Sequence, residues 1–315
     1  MLSSTPALCE LAQTGLIRFS GEDAQSLLHN LLTCEVGALA QRRSTYGGFC
    51  TPKGRLFVTF LLWRSGADTL MQLPSPLRDP VQKKLSTFIL RARVKASDAS
   101  NDSIRFGLAG GNVESLLKQA FGQAPRSPHD VLDVDGATLI HLPGGRCEII
   151  AARDKAPAVR EALSRSAKTA DPDYWDWLDI RAGIPSILPA TQEAFVPQMV
   201  NLDAIGGVSF EKGCYPGQEI VARMHYRGTL KQRMVLANIA GTESHPQPDD
   251  KLYSAAFGEQ ACGTIVNAAR APEGGSDVLA VIQIAAAERG EVRWKSPEGP
   301  VLKLQPLPYS VNLNN

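Results

Sequence analysis

The sequence predicts an α+β protein that ends in a small antiparallel β-barrel, and three observations carry that expectation. Between Ile104 and Ser166 short strand-like runs alternate with helical ones, the pattern of α+β material with antiparallel strands. Beyond Arg227-Gly228 the chain breaks into short β-rich runs, Met234–Ile239, Lys251–Ser254, Cys262–Ala268, Val278–Ile284 and Glu291–Trp294, divided by Gly, Pro and Asp clusters at fairly regular spacing. The run Arg55–Trp63 is apolar almost throughout, as in a central strand covered on both faces. A boundary is therefore expected at 228–233, separating a region 1–230, divided into two subdomains, from a barrel at 231–315.

The 315 residues suffice for two or three domains with a substantial core. With 43% hydrophobic and 21% charged residues, the composition is that of an ordinary globular protein. A formal net charge of +1 lacks the surplus of cations that a broad nucleic-acid face needs, so no direct nucleic-acid partner is expected, although a local basic groove is compatible with it. No apolar run approaches the roughly 20 residues that span a bilayer, and Met1–Leu16 lacks the pattern of a signal peptide. A cytoplasmic protein with no membrane partner is expected. The six cysteines, at 9, 34, 50, 147, 214 and 262, never form C-x-x-C, which argues against a disulfide framework, a zinc knuckle or a resident iron–sulfur cluster. No metal site is expected. G-x-G-x-x-G, Walker and H-E-x-x-H motifs are missing as well.

In order along the chain, Gly15–Phe19 reads as a strand that ends at Ser20-Gly21 and enters a helix capped by Asp23 or Ser20. Ala24, Leu27, Leu28, Leu31 and Leu32 form that helix's apolar stripe, with His29 beside it in a structural role. Tyr46 to Arg64 reads as a hairpin about a Thr51-Pro52-Lys53-Gly54 turn. Pro74 to Val94 reads as a helix carrying Val81, Leu85, Phe88 and Ile89. Its end bears Arg91, Arg93 and Lys95, either a solvated face or a meeting point for an anion. Strands at Ile104–Ala109, Thr138–Leu142 and Cys147–Ala151 and helices at Asn112–Phe121 and Ala156–Ser166 follow. Trp175 and Trp177 offer broad flat surfaces, suited either to stacking a heteroaromatic ligand or to filling a domain junction.

The stretch Lys212-Gly213-Cys214-Tyr215-Pro216-Gly217-Gln218-Glu219-Ile220-Val221-Ala222-Arg223 concentrates the chemistry. A Pro-Gly turn precedes residues suited to a short helix, which sets Cys214 near a helix N-terminus, with Lys212 and Arg223 as cations that favour its thiolate. Cys214 is then a poised, partly exposed thiol; the plainer reading is a small buried hydrophobe in a tight loop.

That stretch, preceded by Pro197-Gln198-Met199-Val200-Asn201-Leu202-Asp203 and followed by Tyr226-Arg227-Gly228, closely resembles the signature of the YgfZ-type folate-binding proteins. The likeness extends to Ser20–Ala24, to Thr51–Arg55 and to Pro306–Ser310, so it covers nearly the whole chain. It implies the fold of the glycine cleavage T-protein (aminomethyltransferase) and of dimethylglycine oxidase: interleaved α+β domains around a central folate cavity, capped by a C-terminal antiparallel β-barrel. The implied role is a tetrahydrofolate-binding accessory protein, taking tetrahydrofolate or a one-carbon derivative, that supports assembly or repair of iron–sulfur clusters in client enzymes, a tRNA-modifying one among them. The resemblance makes Cys214 the functional thiol, with Lys212 and Arg223 assisting. It assigns the folate contacts to Trp175, Asn201, Arg181, Gln218 and Glu219.

Three departures from the relatives stand out, and the first bears on the alternative, a folate-dependent aminomethyl or one-carbon transferase. Where the transferases carry a pair of aspartates, this chain has Val58 and Thr59, neither of which is a general acid or base. Arg181 replaces a glutamate suited to the pterin's donors, and a guanidinium has no acceptor to offer them. Arg181 would instead meet the folate's glutamyl carboxylates. A folate-contacting tryptophan of some relatives falls on Thr14.

Overall fold

Runs of apolar residues between Gly, Pro and Asp turns build three sheets in the computed structural model, which describes residues 5–228, 230–241 and 244–311. The chain begins with β1 (Ala7–Glu10), β2 (Thr14–Ser20), α1 (Ala24–Leu31), β3 (Ser44–Cys50), β4 (Leu56–Ser65), β5 (Asp68–Pro74) and α2 (Ser75–Ser86). Next come β6 (Lys95–Asp98), β7 (Ser103–Ala109), α3 (Val113–Phe121), β8 (Val131–Val134), β9 (Ala137–Leu142), β10 (Arg146–Ala152), α4 (Ala156–Ser164), β11 (Lys168–Ala170) and α5 (Pro172–Arg181). The last part holds α6 (Gln218–Arg227), β12 (Gln232–Ile239), β13 (Lys251–Tyr253), β14 (Ala261–Arg270), β15 (Ser276–Gln283), α7 (Ile284–Arg289), β16 (Arg293–Trp294) and β17 (Leu302–Gln305).

The chain divides into two compact units that interleave in sequence. The first comprises Met1–Leu27, Val36–Thr45 and Leu61–Trp175; the second comprises Leu28–Glu35, Tyr46–Phe60 and Asp176–Asn315. The boundary expected at 228–233 falls inside the second unit, where the C-terminal strands cluster with residues 176–228.

One six-stranded sheet has the order β11-β1-β7-β10-β9-β8 and is antiparallel apart from β1 and β11. Leu8, Phe106, Leu139 and Ile149 face a core completed by Val113 and Leu117 of α3 and by Val159 and Leu163 of α4. Helix α3 has orderly ends: the Asn112 side chain accepts from Ser115 N at 3.0 Å, and Gly122, at φ 75°, donates to Lys118 O at 2.8 Å.

The five-stranded sheet has the order β3-β4-β5-β2-β6 and contains the expected hairpin. Helix α2 buries Leu77, Val81 and Leu85 but stops at Ser86, short of the helix expected to reach Val94. The hydroxyls of Ser86 and Thr87 bond back to Gln82 O and Lys84 O, both at 2.7 Å, and compete with helix continuation. Phe88 is consequently exposed. Asp23, expected to cap α1, gives its carboxylate to Arg93 N at 2.8 Å instead.

The third sheet, β16-β13-β14-β15-β12-β17, curls into an antiparallel half-barrel whose edge strands are joined by one bridge between Arg293 and Val301. Its core includes Leu252, Ile265, Val278, Ile282 and Trp294. Among the described residues, no helix is long and apolar enough to cross a membrane.

Candidate functional site

The Cys214 loop owes its shape to two glycines. Thr51 N donates to Arg55 O at 2.8 Å and Gly54 N to Thr51 O at 2.9 Å, which closes the first turn with Gly54 at φ 69°. Gly217, at φ 80°, lies directly against that turn: a Cβ there would sit 2.4 Å from Thr51 O and 2.6 Å from Gly54 Cα. A Cβ on Gly54 would meet Ile220 at 2.8 Å. The two turns therefore touch through backbone, and only glycine permits both the angle and the approach. Helix α6 follows from Gln218 as expected, with Cys214 upstream of its first turn.

Cys214 is exposed, while the other five cysteines are buried. Among the described residues its thiol has no hydrogen-bond partner. Lys212 does something other than the sequence suggested. Its side chain is only 8% exposed, and the ammonium donates to Leu32 O at 2.5 Å and to His29 O. It thereby satisfies carbonyls at the C-terminal end of α1, where a cation also complements the helix dipole. The ammonium lies 5.1 Å from the centre of the Tyr215 ring. Burial pulls the Lys212 pKa below the usual lysine range, with Cys34 and Glu35 opposing. Lys212 is thus a fastener of the loop, with its ammonium committed to the end of α1. Arg223 is exposed on α6 and makes no hydrogen bond to the thiol.

Most of the residues expected at folate have partners within the protein. Trp175 is 2% exposed; its ring rests on Gly107, where a Cβ would come within 2.3 Å, and the Arg146 guanidinium lies 4.8 Å from its centre. Asn201 is fully buried at φ 57°, donating to Met234 O at 2.9 Å and accepting from Arg233 at 3.3 Å. Arg181 bonds Gln305 and lies 3.6 Å from Asp277, whose carboxylate also takes the Trp177 indole N–H at 2.8 Å. Gln218 is half-buried and donates to Lys212 O at 3.4 Å, and Glu219 is exposed in the first turn of α6. Four of these five side chains thus have partners within the protein, and Glu219 is open to solvent. A cavity of about 440 Å³ at the head of α3, lined by Asn112, Glu114, Arg126 and His141 among others, contains none of them.

Sequence reasoning missed the groups around Lys212. Burial pushes the Cys34 thiol up to about 12, against the pull of Lys212, and does the same to Cys50 without any such pull. The Tyr215 phenol is also raised by burial, and its hydroxyl has no hydrogen-bond partner. Phe210 and His225 stack at 3.7 Å and 12°, with Tyr226 edge-on to both and 67% exposed. Tyr215 and Tyr226 stand in the signature itself; Cys34 and Cys50 are isolated in sequence and carry no local signal. Thr59 donates to Pro185 O at 2.9 Å and accepts from Ile187 N at 3.0 Å, and Val58 is fully buried, so that position offers no proton-handling group.

The fold is shared with the glycine cleavage system aminomethyltransferase T from Bartonella henselae, which superposes with a TM-score of 0.76 over 98% of this chain and 87% of that one, at 14% identity. No protein-family model matches the chain. It is 31% identical over 311 residues to the tRNA-modifying protein YgfZ of Pectobacterium carotovorum subsp. carotovorum (strain PC1), covering 97% of this chain and 92% of that protein. To the tRNA-modifying protein YgfZ of Colwellia psychrerythraea it is 33% identical over 310 residues, covering 96% and 93%. The chain belongs to the YgfZ family.

Proposed function

We propose that this protein is an accessory factor in tRNA modification, binding tetrahydrofolate or a one-carbon derivative and supporting assembly or repair of iron–sulfur clusters in client enzymes through Cys214. The observation that carries this reading is the exposure of Cys214 while every other thiol is buried. A thiol meant only for packing would be sealed like Cys34 or Cys50. The tRNA connection comes from the full-length relatives, named tRNA-modifying proteins. The folate part rests on kinship with the family. A one-carbon transferase is disfavoured, because Val58 and the doubly bonded Thr59 stand where proton handling is needed.

Chemically, the chain's own residues present one accessible sulfur on a fixed loop. Lys212 and the paired glycines hold its position, and Arg223 offers positive charge on the adjoining helix. The test is complementation of a strain lacking its own family member, read as tRNA methylthiolation and iron–sulfur enzyme activity, with calorimetric titration of tetrahydrofolate alongside. Wild type and Cys214→Ala are expected to bind folate alike, and only the wild type to restore activity. Full rescue by Cys214→Ala would remove the thiol from the mechanism.

A further inference from the structure

The segment Pro80–Lys95 contains Lys83, Lys84, Arg91, Arg93 and Lys95 and no acidic residue, in a chain whose formal net charge is only +1. Its base is firmly rooted. Helix α2 is tied to the edge strand β6 through Gln82 to Ala96 O at 3.3 Å and Arg78 to Asp98 at 3.0 Å. Arg93 is held by the carboxylates of Asp23 and Glu22, and its carbonyl lies where a Cβ on Gly21 would fall. That arrangement neutralises Arg93 alone. Lys83, Lys84, Arg91 and Lys95 are exposed and have no carboxylate partner among the described residues. Between them the loop presents Leu90, 88% exposed, and Phe88.

Four unpaired cations lie on a helix end, a loop and a strand start within one short segment, and cations spread over several elements suit a polyanion better than one small anion. One largely exposed leucine and a part-exposed phenylalanine bury too little area to hold a membrane surface. They suit the apolar faces of ribose and base, which every nucleotide presents. We propose that the end of α2 and the loop to β6 dock the phosphate backbone of RNA, with tRNA as the RNA. This deepens the proposed function and rests on it. The low overall charge, which argued against a broad nucleic-acid face, is compatible with a patch of this size.

The test is electrophoretic mobility shift of unfractionated tRNA with the full chain at 50 and 200 mM salt, with phosphatidylglycerol vesicles and polyglutamate as rival probes. Four phosphate contacts predict that affinity falls about 50- to 150-fold between the two salt concentrations. The pairs Lys83→Gln with Lys84→Gln and Arg91→Gln with Lys95→Gln should each weaken binding at least tenfold and flatten the log–log salt slope by about 2. These side chains are exposed, so unchanged thermal unfolding confirms that the variants fold. No shift at 50 mM, an unaltered slope in the variants, or tighter binding to vesicles or polyglutamate would overturn the inference. A wild type that restores tRNA modification without binding tRNA removes this patch and leaves the proposed function standing. One that binds tRNA through these residues but restores nothing supports the patch and removes that function.

Discussion

The Cys214 loop and the Trp175 packing site are both built from residue types that mark function, and they are opposite in kind. Cys214 stands in solvent while the residues around it are fixed: Gly217 against Gly54, Lys212 against the end of α1. Trp175 is itself the fixed part, laid on Gly107 beside Arg146. A residue that acts on something outside the protein needs rigid neighbours and a free end. A residue with rigid neighbours on every side is part of the support.

The contrast is most severely tested at the tryptophan. Trp175→Ala should cost about 3–5 kcal/mol, the usual loss for a fully buried large ring, read by urea unfolding. If Trp175→Phe keeps most of that stability yet abolishes tetrahydrofolate binding in calorimetry, the ring is a ligand contact and the contrast fails. Lys212→Met should cost about 2 kcal/mol through loss of two charge-assisted hydrogen bonds. It should also change the rate at which Cys214 is alkylated, and an unchanged rate would mean that the lysine does not steady the loop.

A smaller effect is expected from pH. Burial holds the Cys50 thiol at about 12, well above the 9.0 of a free thiol, so below pH 9 both folded and unfolded states keep the proton. Above it the unfolded thiol ionises first, and stability drains away as pH rises toward 12. Between pH 10 and 11, Cys50→Ala should lose about 1.4 kcal/mol less than the wild type; parallel curves would contradict sealed burial. Last, thiol titration of the native protein at neutral pH should count one fast cysteine, and none in Cys214→Ala, with little change in stability. Two or more fast thiols would erase the distinction on which the proposed function stands.

Much of the fold was legible because it rests on local pattern. The alternation around β7, β9 and β10, the hairpin of β3 and β4 and the helix α6 after Pro216-Gly217 appear where apolar periodicity and turn residues put them. Strand β17 was missed because Leu302 is its one buried residue, too little for a period to show. The overlong α2 came from reading Phe88 and Ile89 as a continued stripe, when the Ser86 and Thr87 hydroxyls had already turned the chain. In the site, Cys214 was legible because its motif is contiguous. The destination of the Lys212 ammonium was not, since its partners lie some 180 positions earlier and are backbone atoms, which no residue type announces.

Because those partners are main-chain carbonyls, the fastening is indifferent to what occupies positions 29 and 32, provided α1 remains a helix. Only one end of the tie is written in the alphabet of side chains. Drift among the relatives should therefore be lopsided, with lysine retained ahead of the cysteine while positions 29 and 32 answer only to their own packing, which is fully buried at Leu32.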